Sequence, residues 1–158
     1  MPNVLLPVPH FEQSRDGACL PACVRMVLAY WGDARQEEEI AILLGTRSFG
    51  TPISNVARLT AWNYDVTIVD RIPRSMLERC LDDGRPVIAR VWTAMLDYWI
   101  QATSHVVVLI GYDQGRVIVN DPALPNQGYP VSWDGFLAAW VEFDETAVII
   151  APARLSDL

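Results

Sequence analysis

Apolar residues recur along the chain with two periods. Leu20, Cys23, Val24, Val27, Leu28 and Trp31 fall three or four apart, which places them on one face of a helix. Pro21 is compatible with a helix only in the first turn, so this helix starts near residue 19 or 20, and Gly32 stops it. A second helix is predicted over Arg35–Leu44, closed by Gly45. A third covers Ile53–Trp62, and a fourth covers Pro73–Asp83, ended by Gly84. Tyr64–Val69 alternates with the period of a strand, and Pro86–Trp92 reads as another. His105–Tyr112 and Val117–Asn120 form a pair joined by the hairpin-type turn Asp113-Gln114-Gly115. Ser132 can accept from first-turn amides and so opens a short helix through Trp140. Thr146–Ala151 is a last, buried strand, and the three-proline stretch Pro2–Pro9 is extended. Helices come first and hairpin-linked strands later. That order predicts an α+β protein with a mostly antiparallel sheet, not the alternating pattern of a parallel one.

Composition narrows the class. A chain of 158 residues that is 51% apolar and 20% charged suits one globular domain, residues 1–158, and excludes disorder. No internal repeat, low-complexity tract or linker is present. The longest apolar runs, Val106–Ile110 and Ala147–Ala151, are too short to span a membrane, and Met1–Glu12 does not read as a signal peptide. A net charge of −7 argues against nucleic acid and against an anionic membrane surface as partners. All 12 basic residues are arginine, which removes Schiff-base lysine chemistry and a phosphate-loop lysine. There are only 2 His and 3 Cys. The odd cysteine count, with two of them four apart on one helix, argues for a reducing, cytoplasmic compartment and not for a disulfide framework.

Few residues are therefore left for soft chemistry. Cys19 stands at the start of the first helix, where unpaired amides and the macrodipole favour a thiolate. Cys23, one turn on, and Cys80, in the fourth helix, read as core. His105 opens the most apolar strand and suits a general base at a sheet end. Asn120 or Asp121, across the hairpin, could orient that imidazole; adjacent residues of an extended chain face opposite ways, so only one can. Gln13 could supply an amide donor toward an oxyanion formed at Cys19. His10 reads as solvated, Glu37-Glu38-Glu39 as a helix surface, and Trp31, Trp62 and Trp140 as core. Trp92 and Trp99 could line a substrate groove. A metal site built on Cys19, Cys23 and His105 lacks a convincing fourth ligand and ranks below nucleophilic catalysis; no metal or other cofactor is expected.

Gln13-Ser-Arg-Asp-Gly-Ala-Cys19-Leu-Pro-Ala-Cys23, His105-Val-Val-Val-Leu-Ile-Gly-Tyr-Asp113 and Val117-Ile-Val-Asn-Asp121-Pro122 together resemble the papain-like cysteine peptidases. Within them, the chain is most similar to the bacteriocin-processing family, which removes double-glycine leader peptides. The late segment Ser132-Trp-Asp-Gly-Phe-Leu-Ala-Ala-Trp140 extends the likeness over nearly the whole chain. The resemblance implies a papain-like fold, with N-terminal helices packed on the sheet and the nucleophile at a helix start. It implies Cys19 as nucleophile, His105 as base and then acid, Asp121 as orienting carboxylate and Gln13 as oxyanion donor, acting on a peptide or protein substrate. Leu20 stands where many members carry Gly, which implies a differently shaped cleft. Such peptidases are commonly fused to a membrane transporter, so this chain would be a free-standing relative or an excised domain. Two other readings use the same residues. One is acyl transfer or deamidation, as in transglutaminase-like enzymes; the other is a non-catalytic peptide-binding module.

Overall fold

Seven antiparallel strands form one sheet in a computed structural model that describes residues 2–154. In chain order the elements are β1 (Val4–Leu5), α1 (Cys19–Tyr30), α2 (Glu37–Leu44), a 3-10 helix (Ile53–Trp62), β2 (Tyr64–Val69), α3 (Arg74–Asp82), β3 (Val87–Trp92), β4 (Ser104–Tyr112), β5 (Arg116–Asn120), β6 (Tyr129–Ser132), α4 (Trp133–Val141) and β7 (Ala147–Pro152). The strands lie in the order β2-β7-β3-β4-β5-β6. β1 pairs with β4 at Gly111 and Tyr112, past the point where β3 has ended at Val87↔Leu109. The fold class is α+β, as the order of helices and hairpins requires.

Both faces of the sheet are covered, which explains the unbroken apolar run Val106–Ile110. Val106, Val108 and Ile110 meet Leu20, Cys23, Val24 and Val27 of α1 in one core. Val107 and Leu109 face the other way, toward Leu77 and Leu81 of α3 and Phe136 and Trp140 of α4. A strand buried on both faces has no polar side to show. The second core is anchored by aromatics: Phe136 stacks on Trp140 with centroids 5.6 Å apart and meets Trp133 edge-on at 6.0 Å. Each indole N–H finds a carbonyl, Asp113 for Trp133 and Thr146 for Trp140, so these side chains are buried without an orphaned donor.

α1 begins at Cys19, with Pro21 in its first turn. The Ser132 hydroxyl accepts from the Gly135 amide and opens α4. Some details differ from the pattern. α2 begins at Glu37, because Gln36 is extended and caps it in a capping box with Glu39, while Arg35 pairs with Asp33 and lies over the Trp62 ring at 3.8 Å. Trp31 and Trp62 are only half-buried, whereas Trp140 is fully buried. The segment Ile53–Trp62 is a 3-10 helix; the Thr60 hydroxyl bonds the Ala57 carbonyl three residues back, one of the side-chain contacts that compete with α-helical bonding. β6 has no counterpart in the pattern because it contains Pro130. Proline is tolerated there because β6 is an edge strand with β5 as its only neighbour.

The N-terminal segment is tied down along its length. The Leu6 amide donates to the Ile110 carbonyl at 2.7 Å, and the Asn3 amide donates to Tyr112 at 2.9 Å. A side chain at Gly111 would collide with the Val4 carbonyl, so this close approach of β1 requires glycine. Gly111→Ala is expected to lower stability by about 1–3 kcal/mol, the usual cost of overpacking. Urea unfolding should register the loss, and hydrogen exchange should show it first at the amides of Asn3 and Leu6.

Candidate active site

Three segments converge at one end of the sheet. The first is the loop that enters α1. Gly17 has φ +84°, and a side chain there would lie 2.5 Å from the Ser48 carbonyl oxygen. Only glycine allows the chain to turn this closely against the loop around residue 48 and present Cys19 as the first helical residue. Ala18, at the N-cap, has no side chain able to cap the helix, and Pro21 carries no N–H. The first-turn amides are left uncapped by side chains beside a partly exposed thiol.

The second segment is β4, which carries His105 as its second residue, 4% exposed. The third is the turn after β5, where Asp121 is fully buried. His105 Nε2 meets Asp121 Oδ1 at 2.7 Å, which leaves Nδ1 for the thiol, and Cys19 lies close enough to raise the pKa of the imidazole. Asp121 Oδ1 also accepts from the Ala123 amide at 2.9 Å. Oδ2 accepts from the Trp99 indole at 2.8 Å and the Tyr98 hydroxyl at 3.0 Å. All four lone-pair positions of the carboxylate are filled. Trp99 also packs on His105, with ring centroids 4.8 Å apart.

This arrangement shifts the ionisation of its members. Burial alone would lower the His105 pKa. The hydrogen bond to Asp121, the neighbouring Cys19 and the negative charges of both outweigh it and raise the value to about 9. Burial alone would raise the Asp121 pKa. The hydrogen bond and charge of His105, with the Ala123 amide and the Trp99 indole, bring it below the ordinary carboxylate value. Burial, followed by the charges of Cys19 and Asp121, pushes the Cys23 thiol well up. Cys23 donates to the Val106 carbonyl and is core, and Cys80 is buried in the opposite core.

Asn120 faces away from the imidazole, as the alternation of an extended chain demands. Its amide nitrogen donates to the Val8 carbonyl at 3.1 Å, and its oxygen accepts from the Gly128 amide at 3.0 Å. Gln13 arrives on the N-terminal strap: its backbone amide donates to the Pro122 carbonyl at 2.7 Å, and its side-chain nitrogen donates to the Arg15 carbonyl at 2.9 Å. The second amide hydrogen of Gln13 is left over, and its Oε1 is buried without a partner. His10 is not a solvated loop residue. Its Nε2 donates to the Asp121 carbonyl at 2.9 Å and ties the strap to the turn. Glu37 is more than helix surface, since it accepts from the Ser14 amide and hydroxyl and clamps the loop that carries Gln13. Trp99 is part of the buried site and not simply a groove wall. Tyr98 and the strap contacts of His10 and Asn120 escape sequence reading. The one available signal was the aromatic pair Tyr98-Trp99 shortly before His105.

An antiparallel sheet with a cysteine at a helix start, and histidine and aspartate paired at the sheet's end, defines the papain-like α+β fold of the C39 peptidases. The profile of the Peptidase C39-like family matches residues 5–148, and the chain belongs to that family. Among solved structures it is similar to a protein from Bacillus anthracis described as a C39-like peptidase, at 19% identity and a TM-score of 0.78, over 94% of this chain and 96% of that one. It is similar to a double glycine motif protease from an AMS/PCAT transporter, solved in complex with the leader peptide, at 21% identity and a TM-score of 0.74, over 96% of each chain. The peptidase domain of Streptococcus ComA, a bifunctional ABC transporter of a quorum sensing pathway, aligns at 19% identity and a TM-score of 0.69, over 94% of this chain and 98% of that one. No curated protein sequence matches. No helix among the described residues is long and apolar enough to cross a membrane.

The ion pair makes stability depend on pH. The folded pKa of His105 lies above the unfolded value near 6.5. Its contribution is therefore full below about pH 6.5 and fades as pH rises through about 9. The depressed Asp121 contributes above its unfolded value and is lost as pH falls through the folded one. Unfolding free energies from urea titrations are expected to decline between pH 7 and 10 by on the order of 3 kcal/mol at most. The same scan on His105→Gln should be nearly flat over that range.

Proposed function

We propose that this protein is a cysteine peptidase in which Cys19, His105, Asp121 and Gln13 carry the reaction. The observation that supports it best is the 2.7 Å contact of a buried aspartate with one nitrogen of an imidazole that a helix-start cysteine neighbours closely enough to raise its pKa. His105, protonated between the carboxylate and the sulfur, keeps Cys19 as a thiolate. The Sγ electron pair attacks the peptide carbonyl carbon, and the oxyanion that forms takes hydrogen bonds from the Cys19 amide and the free amide hydrogen of Gln13. The carbon–nitrogen bond breaks as the imidazolium gives its proton to the departing amine. His105, now neutral, takes a proton from water as that water attacks the thioester. The carbon–sulfur bond breaks, the carboxylic acid product leaves, and the thiolate returns beside the imidazolium. Asp121 holds the imidazole in place throughout and stabilises its positive charge.

The substrate in this reading is a leader peptide or propeptide. The support is likeness to the double glycine motif protease that was solved with its leader peptide. A reducing compartment such as the cytoplasm suits it, because the free thiol of Cys19 must persist.

An electrophilic thiol probe read by intact mass tests the proposal. One adduct at Cys19 is expected in the native protein, with Cys23 and Cys80 untouched. His105→Ala should slow labelling by about 10²–10⁴, the range for a lost general base. Equal labelling of Cys19 and Cys80, or a rate indifferent to His105, would argue against it. In peptide cleavage, Cys19→Ala should be inactive, and Gln13→Ala should lose roughly 10²–10³ in kcat with a smaller change in KM. A peptide ligated to an added amine, without hydrolysis, would instead favour acyl transfer.

A further inference from the structure

We propose that Arg90 selects substrates carrying an acidic side chain on the amino-terminal side of the scissile bond. The inference rests on the peptidase reading for the direction in which a substrate lies, and on the following geometry for its chemistry. A cleft of about 300 Å³ opens beside Cys19, between the α1 entry, the loop at Phe49 and Gly50, and the edge of the sheet at Ser104. Arg90, on β3, is the one Asp, Glu, Lys or Arg in its lining. Its guanidinium is held by two contacts. Nε donates to the Ser104 hydroxyl at 3.1 Å, and the group lies over the Phe143 ring at 4.3 Å. Neither contact neutralises it.

Arg35, Arg74, Arg85 and Arg116 each pair with a carboxylate, whereas Arg90, like Arg15, Arg25, Arg47, Arg58, Arg71 and Arg79, does not pair with one among the described residues; what sets Arg90 apart is its place in the cleft beside Cys19. Among the described residues, no carboxylate lies within ion-pair distance of Arg90, and its four terminal N–H groups have no hydrogen-bond acceptor. A half-buried cation immobilised by stacking, with its donor fork unused, is preorganised for a carboxylate. In a chain of net charge −7, a lone cation in the cleft that also holds the nucleophile is a local exception.

Direction follows from the chemistry. The departing amine takes its proton from His105, so the leaving segment lies against His105 and Trp99. Trp99 lines a separate cavity with Ala123 and Leu124 and not the Arg90 cleft, which therefore receives the acyl segment. That segment ends in the scissile carbonyl, so it has no free α-carboxylate, and the group that reaches Arg90 is an Asp or Glu side chain. The exposed Phe49 ring (85% accessible) stands at the same cleft and offers apolar cover to the neighbouring residue.

Internally quenched peptides with Asp/Asn and Glu/Gln pairs scanned over several positions on each side of the cleaved bond provide the test. Their binding to the Cys19→Ala protein is measured in parallel. The expected result is a preference of roughly tenfold or more for the acid at one acyl-side position, in kcat/KM and in binding. Arg90→Gln should collapse that ratio toward one, Arg90→Lys should keep part of it, and Arg90→Glu should turn it toward Lys or Arg substrates. No acidic preference, one confined to the leaving side, or one that survives in Arg90→Gln overturns the proposal. Cleavage without acidic preference would leave the peptidase reading standing and remove this one. Acid-selective binding that depends on Arg90, with no cleavage of any peptide, would keep the carboxylate site and remove the peptidase reading.

Discussion

A charged carboxylate buried at the end of a sheet constrains everything around it. Asp121 has no solvent contact, so its charge persists only if protein groups replace water. They come from three places. The imidazole of His105 comes from β4, the indole and phenol of Trp99 and Tyr98 from the loop before β4, and the amide of Ala123 from the turn itself. Losing any one leaves a hydrogen-bonding position of a buried charge empty. This requirement explains why an apparently irregular loop carries two aromatics with polar tips, and why they converge on one oxygen. It also fixes the imidazole, since Nε2 is committed to the carboxylate and only Nδ1 can face the sulfur.

The N-terminal strap extends the same constraint to the other side of the cleft. Asn120 and Asp121 are adjacent and point to opposite faces. One meets the imidazole and the other grips Val8. The His10 side chain and the Gln13 amide then bond the Asp121 and Pro122 carbonyls. Gln13 and Asp121, far apart in sequence, become parts of one hydrogen-bonded unit. Glu37 secures the strap's far end through Ser14. Glycine makes the close approaches possible at Gly111, where β1 presses on β4, and at Gly17, where the chain turns into α1.

Electrostatics divides the site into two regions. Around His105 and Asp121, opposite charges are paired and shielded by Trp99. In the cleft on the far side of Cys19, one guanidinium stands with no counter-charge in the lining. Burial favours neutralisation in the first region, whereas the half-exposed second region tolerates an unmatched cation until a ligand supplies the carboxylate.

Much of this was legible in the chain. Helical spacing and Pro21 set the start of α1 near residue 19 or 20, local backbone chemistry that needs no tertiary partner. The unbroken run Val106–Ile110 and the turn at Asp113–Gly115 specified a buried hairpin strand headed by His105, and the scarcity of Cys and His narrowed the chemistry to a few residues. Alternation showed that Asn120 and Asp121 could not both face the imidazole, but the face each one takes depends on the register of β5 against β4, which only the assembled sheet decides. The same is true of β6, whose Pro130 is acceptable only because the strand lies at an edge. It is true also of His10, Tyr98, Trp99 and Arg90, whose roles come from contacts between segments distant in sequence. Local propensity and periodicity are written residue by residue. The partner of a buried charge, or the absence of one, is set by which segments the fold brings together.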